Sequence, residues 1–320
     1  MRGLRRLPLI TALVGAGLAL SACAGDDAFE EGSGDETSAG GGTGETIVVG
    51  GANFTEMLIM QAIYVELLNE AGFETETITA DNRELYFPEL GSGAIDVVPE
   101  YAATLAEFIN RQVNGEDAEP IATNDADATV EAMQPLAEEL GVTILEPAEA
   151  ADQNGFAVTA AFAEENGLET LTDLGELGQP LVLAATEECP ERPFCQPGLE
   201  ETYGLDITSV LPTGFGSPAT KQAVQGGEAQ LGLVATTDGT LDQFGLVLLE
   251  DDQSLQLADN LVPAVNTDAA SDELTGALNQ LADVLTTEDL IELNRQVDAE
   301  RMQAADVARA YLEENGLIGG

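Results

Sequence analysis

The stretch VVGGANFTEMLIMQAIYVELLNEAG, residues 48–72, decides how the chain is read. An apolar run, TIVVGG, leads straight into Leu58, Ile59, Ala62, Ile63 and Leu67, which repeat at helical spacing. A buried strand therefore meets a long helix. At the joint stand Asn53, Phe54, Thr55 and Glu56. Polar groups in such a place either cap the helix or face something that binds beyond the strand end.

The same pattern continues on both sides. FETETIT alternates as a second strand, RELYFPELGSG is a short helix stopped by Gly91 and Gly93, and AIDVVPEY is a third strand. A surface helix over 125–141 precedes the strand VTIL. GFAVTAAFAEENGL, DLGEL and PLVLAAT then begin a second strand-and-helix series. Alternation of this kind predicts an α/β protein with parallel sheets, and two series predict two lobes. The segments DELTGALNQLADVLT, TEDLIELNRQVDA and DVARAYLEENG read as helices with no strand signals near them, so they must pack on an existing sheet. The expected division is 46–148 with 246–320 in the first lobe and 149–245 in the second.

Three strand ends carry polar clusters: Asn53 and its neighbours; Glu100, Tyr101 and Thr104; and Thr236, Thr237 and Asp238. Each could be a helix cap. Together, at the carboxyl ends of strands in an open α/β sheet, they read as the walls of a ligand cleft.

Composition bounds the chemistry. The 320 residues are 44% hydrophobic, enough for one large core or two small ones. Residues 1–22 form an export signal: Arg2, Arg5 and Arg6, an apolar stretch from Leu7 to Leu20, then Ser21 and Ala22. Leu20-Ser21-Ala22-Cys23 resembles the lipobox of bacterial lipoproteins, which implies that Cys23 carries lipid and anchors the protein on the extracytoplasmic face of the cell membrane. Residues 23–45 are rich in Gly, Ser, Thr, Asp and Glu and read as a flexible tether. The net charge of −49 becomes −52 when the three signal arginines are lost. Such acidity excludes nucleic acid as a partner. It reads as a solvated surface suited to salt, or as a patch that gathers cations. The chain has no His, which removes His-based acid–base catalysis, Ser-His-Asp triads and His-ligated metals. Cys189 and Cys195, outside the cytoplasm, are expected to form a disulfide rather than a metal site.

With these residues in view the chain resembles a known family. NFTEMLIMQAIYVELLNEAG, FPELGSGAIDVVPEYAAT, NGFAVTAAFAEENGLETLTDL, TKQAVQGGEAQLGLVATTDG and LVLLEDD occur in the order found in substrate-binding lipoproteins of osmoprotectant (glycine betaine/choline/proline-type) ABC transporters. The resemblance spans 47–318. It implies a type II periplasmic-binding-protein fold, with two lobes joined by a two-segment hinge and a ligand cleft between them. It further implies capture of a small compatible solute for a membrane permease driven by a separate ATPase, with no cofactor. The chain carries no G-x-x-x-x-G-K-[ST] loop of its own.

Carried over residue by residue, the resemblance makes Asn53, Thr55, Tyr101, Thr104, Asn154, Lys221, Thr237 and Asp238 the candidate ligand-binding set. Tyr101 matches a wall of the aromatic cage that holds trimethylammonium, where cation–π attraction is worth about 1–2 kcal/mol per desolvated face. Phe54 reads as a plug beneath the loop. Asp238 reads equally as a helix cap. The chain departs from the family in having five Tyr and no Trp, and in placing Lys221, its only lysine, where many relatives carry a cage tyrosine. In the cleft Lys221 would repel a cation; on the surface it would pair with local acids. Two other classes compete with this reading. A hydrolase using Glu56 and Glu100 as paired carboxylates lacks any nucleophile–base pair in the sequence. A sensory or adhesive surface lipoprotein of the same fold would differ in its gene neighbourhood.

Overall fold

The computed structural model describes residues 46–319, so the export signal, Cys23 and the tether lie outside the described residues. In chain order the strands are β1 (Thr46–Ala52), β2 (Glu74–Ala80), β3 (Val97–Tyr101), β4 (Val142–Ile144), β5 (Asn154–Thr159), β6 (Pro180–Ala185), β7 (Asp206–Pro212), β8 (Leu231–Ala235), β9 (Leu246–Leu249) and β10 (Leu261–Asn266). They form two five-stranded sheets, β2-β1-β3-β10-β4 and β7-β6-β8-β5-β9. In each sheet the first three strands are parallel, joined by helical crossovers, and the last two pairings are antiparallel. The central strands β3, β8 and β10 are buried along their whole length, as expected where helices cover both faces. The edge strand β2, ETETITA, is polar and largely exposed.

Helix Thr55–Glu70 is the spine of the first lobe. Met57, Ile59, Met60, Ile63, Tyr64, Leu67 and Leu68 are buried between β1 and the C-terminal helices Thr287–Asp298 and Ala304–Glu314. Burying each such large side chain stabilises by roughly 1.5–3 kcal/mol. Leu290, Leu293, Val307 and Leu312 belong to the same core as Ile47 and Val49, so the C-terminal helices do pack on the first sheet. The second lobe has cores of its own around Phe156, Leu183, Leu199 and Leu231 on one side and Ala184, Val224 and Val234 on the other. Among the described residues no helix is long and apolar enough to cross a membrane.

The sheets are mixed and not wholly parallel as the sequence predicts, because β10 and β5 run against their neighbours, and two further details differ. The segment read as purely helical contains β10, LVPAVN, inserted antiparallel between β3 and β4. A proline inside a central strand ordinarily argues against a strand. Toward β3, Pro263 faces Pro99 in a pair that exchanges no hydrogen bonds. Toward the other side its carbonyl accepts from the Leu145 amide at 2.9 Å, and the bond its missing N–H would have made falls just past the end of β4 at Ile144, where the ladder stops. Second, β9 pairs with β5 in the second sheet, so the strand 246–249 stands with 149–245 and not with the first lobe.

The chain passes between the sheets over 145–153 and returns over 250–260. The two crossings run side by side. Ala151 and Asn260 form an isolated antiparallel bridge, and the Asp152 amide donates to the Asp259 carbonyl at 3.2 Å. That is a two-segment hinge.

Candidate functional site

A cavity of about 230 Å³ lies between the lobes, beside the hinge. Aromatic side chains reach it from both sides: Phe54, Tyr86, Tyr101 and Phe108 from the first lobe, Phe194 and Phe215 from the second. Phe54 joins the two sets. Its ring stacks on Tyr101 with centroids 6.4 Å apart and meets Phe215 edge-on at 5.2 Å. Local structure puts it there, because Phe54 is itself the N-cap residue of helix Thr55–Glu70 and makes no side-chain cap bond.

The floor of the cavity is acidic and almost closed to solvent. Glu56, in the first turn of the same helix, is 2% exposed. Its Oε1 accepts from the Tyr101 hydroxyl at 2.8 Å, and its Oε2 accepts from Thr237 Oγ1 and Asn294 Nδ2, both at 2.6 Å. Asp152, on the first crossing, lines the cavity and is buried. Its Oδ1 accepts from Thr236 Oγ1 at 3.0 Å and from the Thr237 amide at 3.2 Å. Burial raises the Glu56 carboxyl; burial, and then the charge of Glu56, raise Asp152 well above the usual carboxylate range.

A second buried network stands beside it. Arg83 donates to both oxygens of Glu100, at 2.8 and 2.5 Å, and Tyr86 donates to the same carboxylate at 2.7 Å. Arg83 also donates to Thr104 Oγ1 at 3.0 Å. Asp259, on the return crossing, accepts from the Thr104 amide at 3.0 Å, and burial pushes its carboxyl up to about 7. The Arg83–Glu100 pair is thus self-neutralised, while Asp152 and Asp259 present acid to the cavity from the two hinge segments.

The rim is clasped by paired charges. Arg192 of the second lobe bridges to Glu84 of the first at 2.8 Å, and Arg111 Nη1 donates to the Glu191 carbonyl at 2.6 Å. Glu191 and Arg192 lie in the small loop closed by the Cys189–Cys195 disulfide. The disulfide therefore stiffens the piece of the second lobe that reaches across to the first.

The structure separates the candidate residues into groups. Tyr101, Thr104 and Asn154 line the cavity. Asn154, the first residue of β5, donates to the Phe194 carbonyl and to Gln256. Thr237 is fully buried and reaches the site through Glu56, across the lobes. Asn53 is exposed and Thr55 donates to Asp298 at 2.7 Å; neither lines the cavity, and neither caps the helix. Lys221 does not line it either. It is 3% exposed and pairs with Asp238 at 2.7 Å, with Thr240 Oγ1 at 2.8 Å. Asp238 also accepts from the Thr240 amide, so it serves as an ion-pair and turn residue. Glu56 and Glu100 are not paired with each other; each has separate partners.

Sequence reasoning missed Asp152, Asp259, Phe194, Phe215 and Thr186. The two acids stand in crossings with no regular pattern, and no signal marked them. Phe215 was findable, since an aromatic between Gly214 and Gly216 after a strand marks a strand-end loop. Thr186 follows β6, and its buried hydroxyl has no partner within the protein.

A family model described as the substrate binding domain of ABC-type glycine betaine transport system matches residues 45–314. The chain is 27% identical over 295 residues to the glycine-betaine-binding protein of Pseudomonas aeruginosa, covering 88% of this chain and 91% of that protein. It is 22% identical over 293 residues to the carnitine transport binding protein OpuCC of Listeria monocytogenes, covering 88% and 90%. Among solved structures, a glycine betaine/carnitine/choline ABC transporter protein superposes with a TM-score of 0.63 at 19% identity, over 85% of this chain and 99% of that one. Apo YehZ from Escherichia coli gives a TM-score of 0.59 at 26% identity, again over 85% and 99%.

Proposed function

Because the chain belongs to the family of substrate-binding domains of ABC-type glycine betaine transport systems, we propose that it captures a small quaternary-ammonium solute of the glycine betaine, choline or carnitine class. The observation that carries the reading is the interlobe cavity, walled by Phe54, Tyr101, Phe194 and Phe215 and floored by Asp152. Aromatic faces attract a methylated ammonium by cation–π interaction, most strongly when water is excluded. A buried carboxylate adds a counter-charge. Lys221, which in the cleft would repel such a ligand, is neutralised by Asp238 away from the cavity. The Thr186 hydroxyl, at the cavity wall, is available to a ligand acceptor.

In this reading the protein is a receptor and not a catalyst. It is tethered outside the cytoplasm through Cys23, and it docks on permease subunits that a separate ATPase drives. Support for the anchor is the Leu20-Ser21-Ala22-Cys23 sequence, and labelling with a fatty-acid analogue, lost in Cys23→Ser, is its test. The test of ligand class is a calorimetric screen of glycine betaine, choline, carnitine and proline. Saturable binding of at least one quaternary amine is expected. Absence of binding by all of them at millimolar concentration would sink the assignment.

A further inference from the structure

Glu56 and Asp152 bury two carboxyls together with no basic group against either. All ion pairs of the described residues lie elsewhere, and Arg83, the buried cation in the same cavity, is committed to Glu100 through two bonds. Two uncompensated charges at such burial cost several kcal/mol, so the pair retains a proton. Hydrogen bonding decides where. Glu56 accepts from three donors, Tyr101, Thr237 and Asn294, which is the setting of an anion. Both bonds to Asp152 from its threonine neighbours end on Oδ1, which leaves Oδ2 to carry the proton. Asp152 lines the cavity and Glu56 stands behind it.

We propose that a cationic solute takes the place of this proton: entry of the ammonium next to Asp152 releases the proton of the Glu56–Asp152 pair to solvent. The proposal rests on the reading of the cavity as a quaternary-ammonium site. The O–H bond of Asp152 breaks, its electron pair stays on the carboxylate, and the fixed cation of the solute replaces the proton as counter-ion. The groups facing the pair are Tyr101 at the end of β3, Thr236 and Thr237 after β8, and Asn294 of helix Thr287–Asp298. Asp259 lies on the adjoining crossing, and Arg83–Glu100 lies beyond it. None of these supplies a free cation.

The sign follows from linkage. Where the empty pair is protonated, the cation must displace a proton, so affinity rises with pH and levels off above the range in which Asp152 titrates. The experiment is calorimetry with tetramethylammonium and with choline on the full chain, from about pH 5 to about pH 8, in two buffers of different ionisation heat. Expected are an affinity gain approaching about tenfold per pH unit on the rising limb, and a binding heat that differs between buffers by the released proton. Asp152→Asn should weaken choline about tenfold or more and abolish the buffer dependence. Glu56→Gln should move the rise to lower pH, because the like charge that raises Asp152 is gone. Pairing these with Asp259→Asn identifies the proton: if release vanishes there and persists in Asp152→Asn, the assignment is wrong. Binding that is independent of pH and buffer overturns the proposal while leaving solute capture intact. Failure of wild type to bind either probe or glycine betaine at any pH overturns both. Should a variant not fold, the two-buffer comparison on wild type still decides.

Discussion

Single side chains at this site carry more than one duty, and substitutions separate them. Tyr101 offers a ring to the cavity and a hydroxyl to Glu56. Tyr101→Phe keeps the ring and removes a donor from a buried carboxylate, which should cost stability by about 1–3 kcal/mol and leave cation binding largely in place. Tyr101→Ala removes the ring as well, and affinity for a quaternary amine should fall about tenfold or more. Equal affinity in the two variants, measured by calorimetry, would mean that the ring does not touch the ligand. Asp259 gives a pH signature. Burial holds its carboxyl up at about 7 against an unfolded value of 3.8. The folded form therefore binds the proton more tightly. The stabilising contribution is full below the unfolded value and is lost as pH rises through about 7. Asp259→Asn, which keeps an acceptor for the Thr104 amide, should lose less stability than wild type between pH 5 and pH 8, by on the order of a few kcal/mol. Parallel melting curves across that range would count against it.

Elements act here as levers on those side chains. The disulfide loop is the clearest case, because its covalent closure and its reach across the rim are one piece of chain. Cys189→Ser with Cys195→Ser should cost roughly 2–3 kcal/mol of stability on the chain-entropy account. It should also free the Arg192–Glu84 and Arg111–Glu191 contacts that join the lobes. The kinetic expectation is faster solute release with little change in the rate of capture, because contacts formed after encounter act mainly on dissociation. Stopped-flow fluorescence on oxidised protein and on the double variant separates the two, and an unchanged release rate would leave the loop with a purely structural role.

At the scale of the molecule, the two hinge segments let the lobes close as bodies, and the cavity exists only where they meet. Small-angle scattering should therefore show the radius of gyration falling when a binding solute saturates the protein. An unchanged value at saturation would exclude hinge closure. The charge of −49 spread over 320 residues is a second property of the whole. Self-repulsion among 59 acids should be relieved by screening, so the melting temperature should climb with added sodium chloride from about 0.01 M to about 1 M. A flat response would assign the acidity to local networks instead.

What the sequence determined by itself is what depends on periodicity and composition: the α/β class, the two series of strands and helices, the disulfide, and the strand ends at which Tyr101 and Thr104 stand. These are local or nearly local properties, and an apolar repeat reports them directly. Only the tertiary structure decided which polar groups meet. Lys221 and Asn53 sit in segments that a motif places near a cleft, yet one is turned into an ion pair with Asp238 and the other into solvent. Asp152 and Asp259 sit in irregular crossings that no pattern marks, yet the bridge between those crossings sets both against one cavity. The strand β10 is masked by Pro263, whose missing N–H falls where the ladder to β4 ends at Ile144, while on its other side it meets Pro99 in a pair that exchanges no hydrogen bonds. Pairing across such separations is settled by packing and register, and neither is written in any single stretch of the chain.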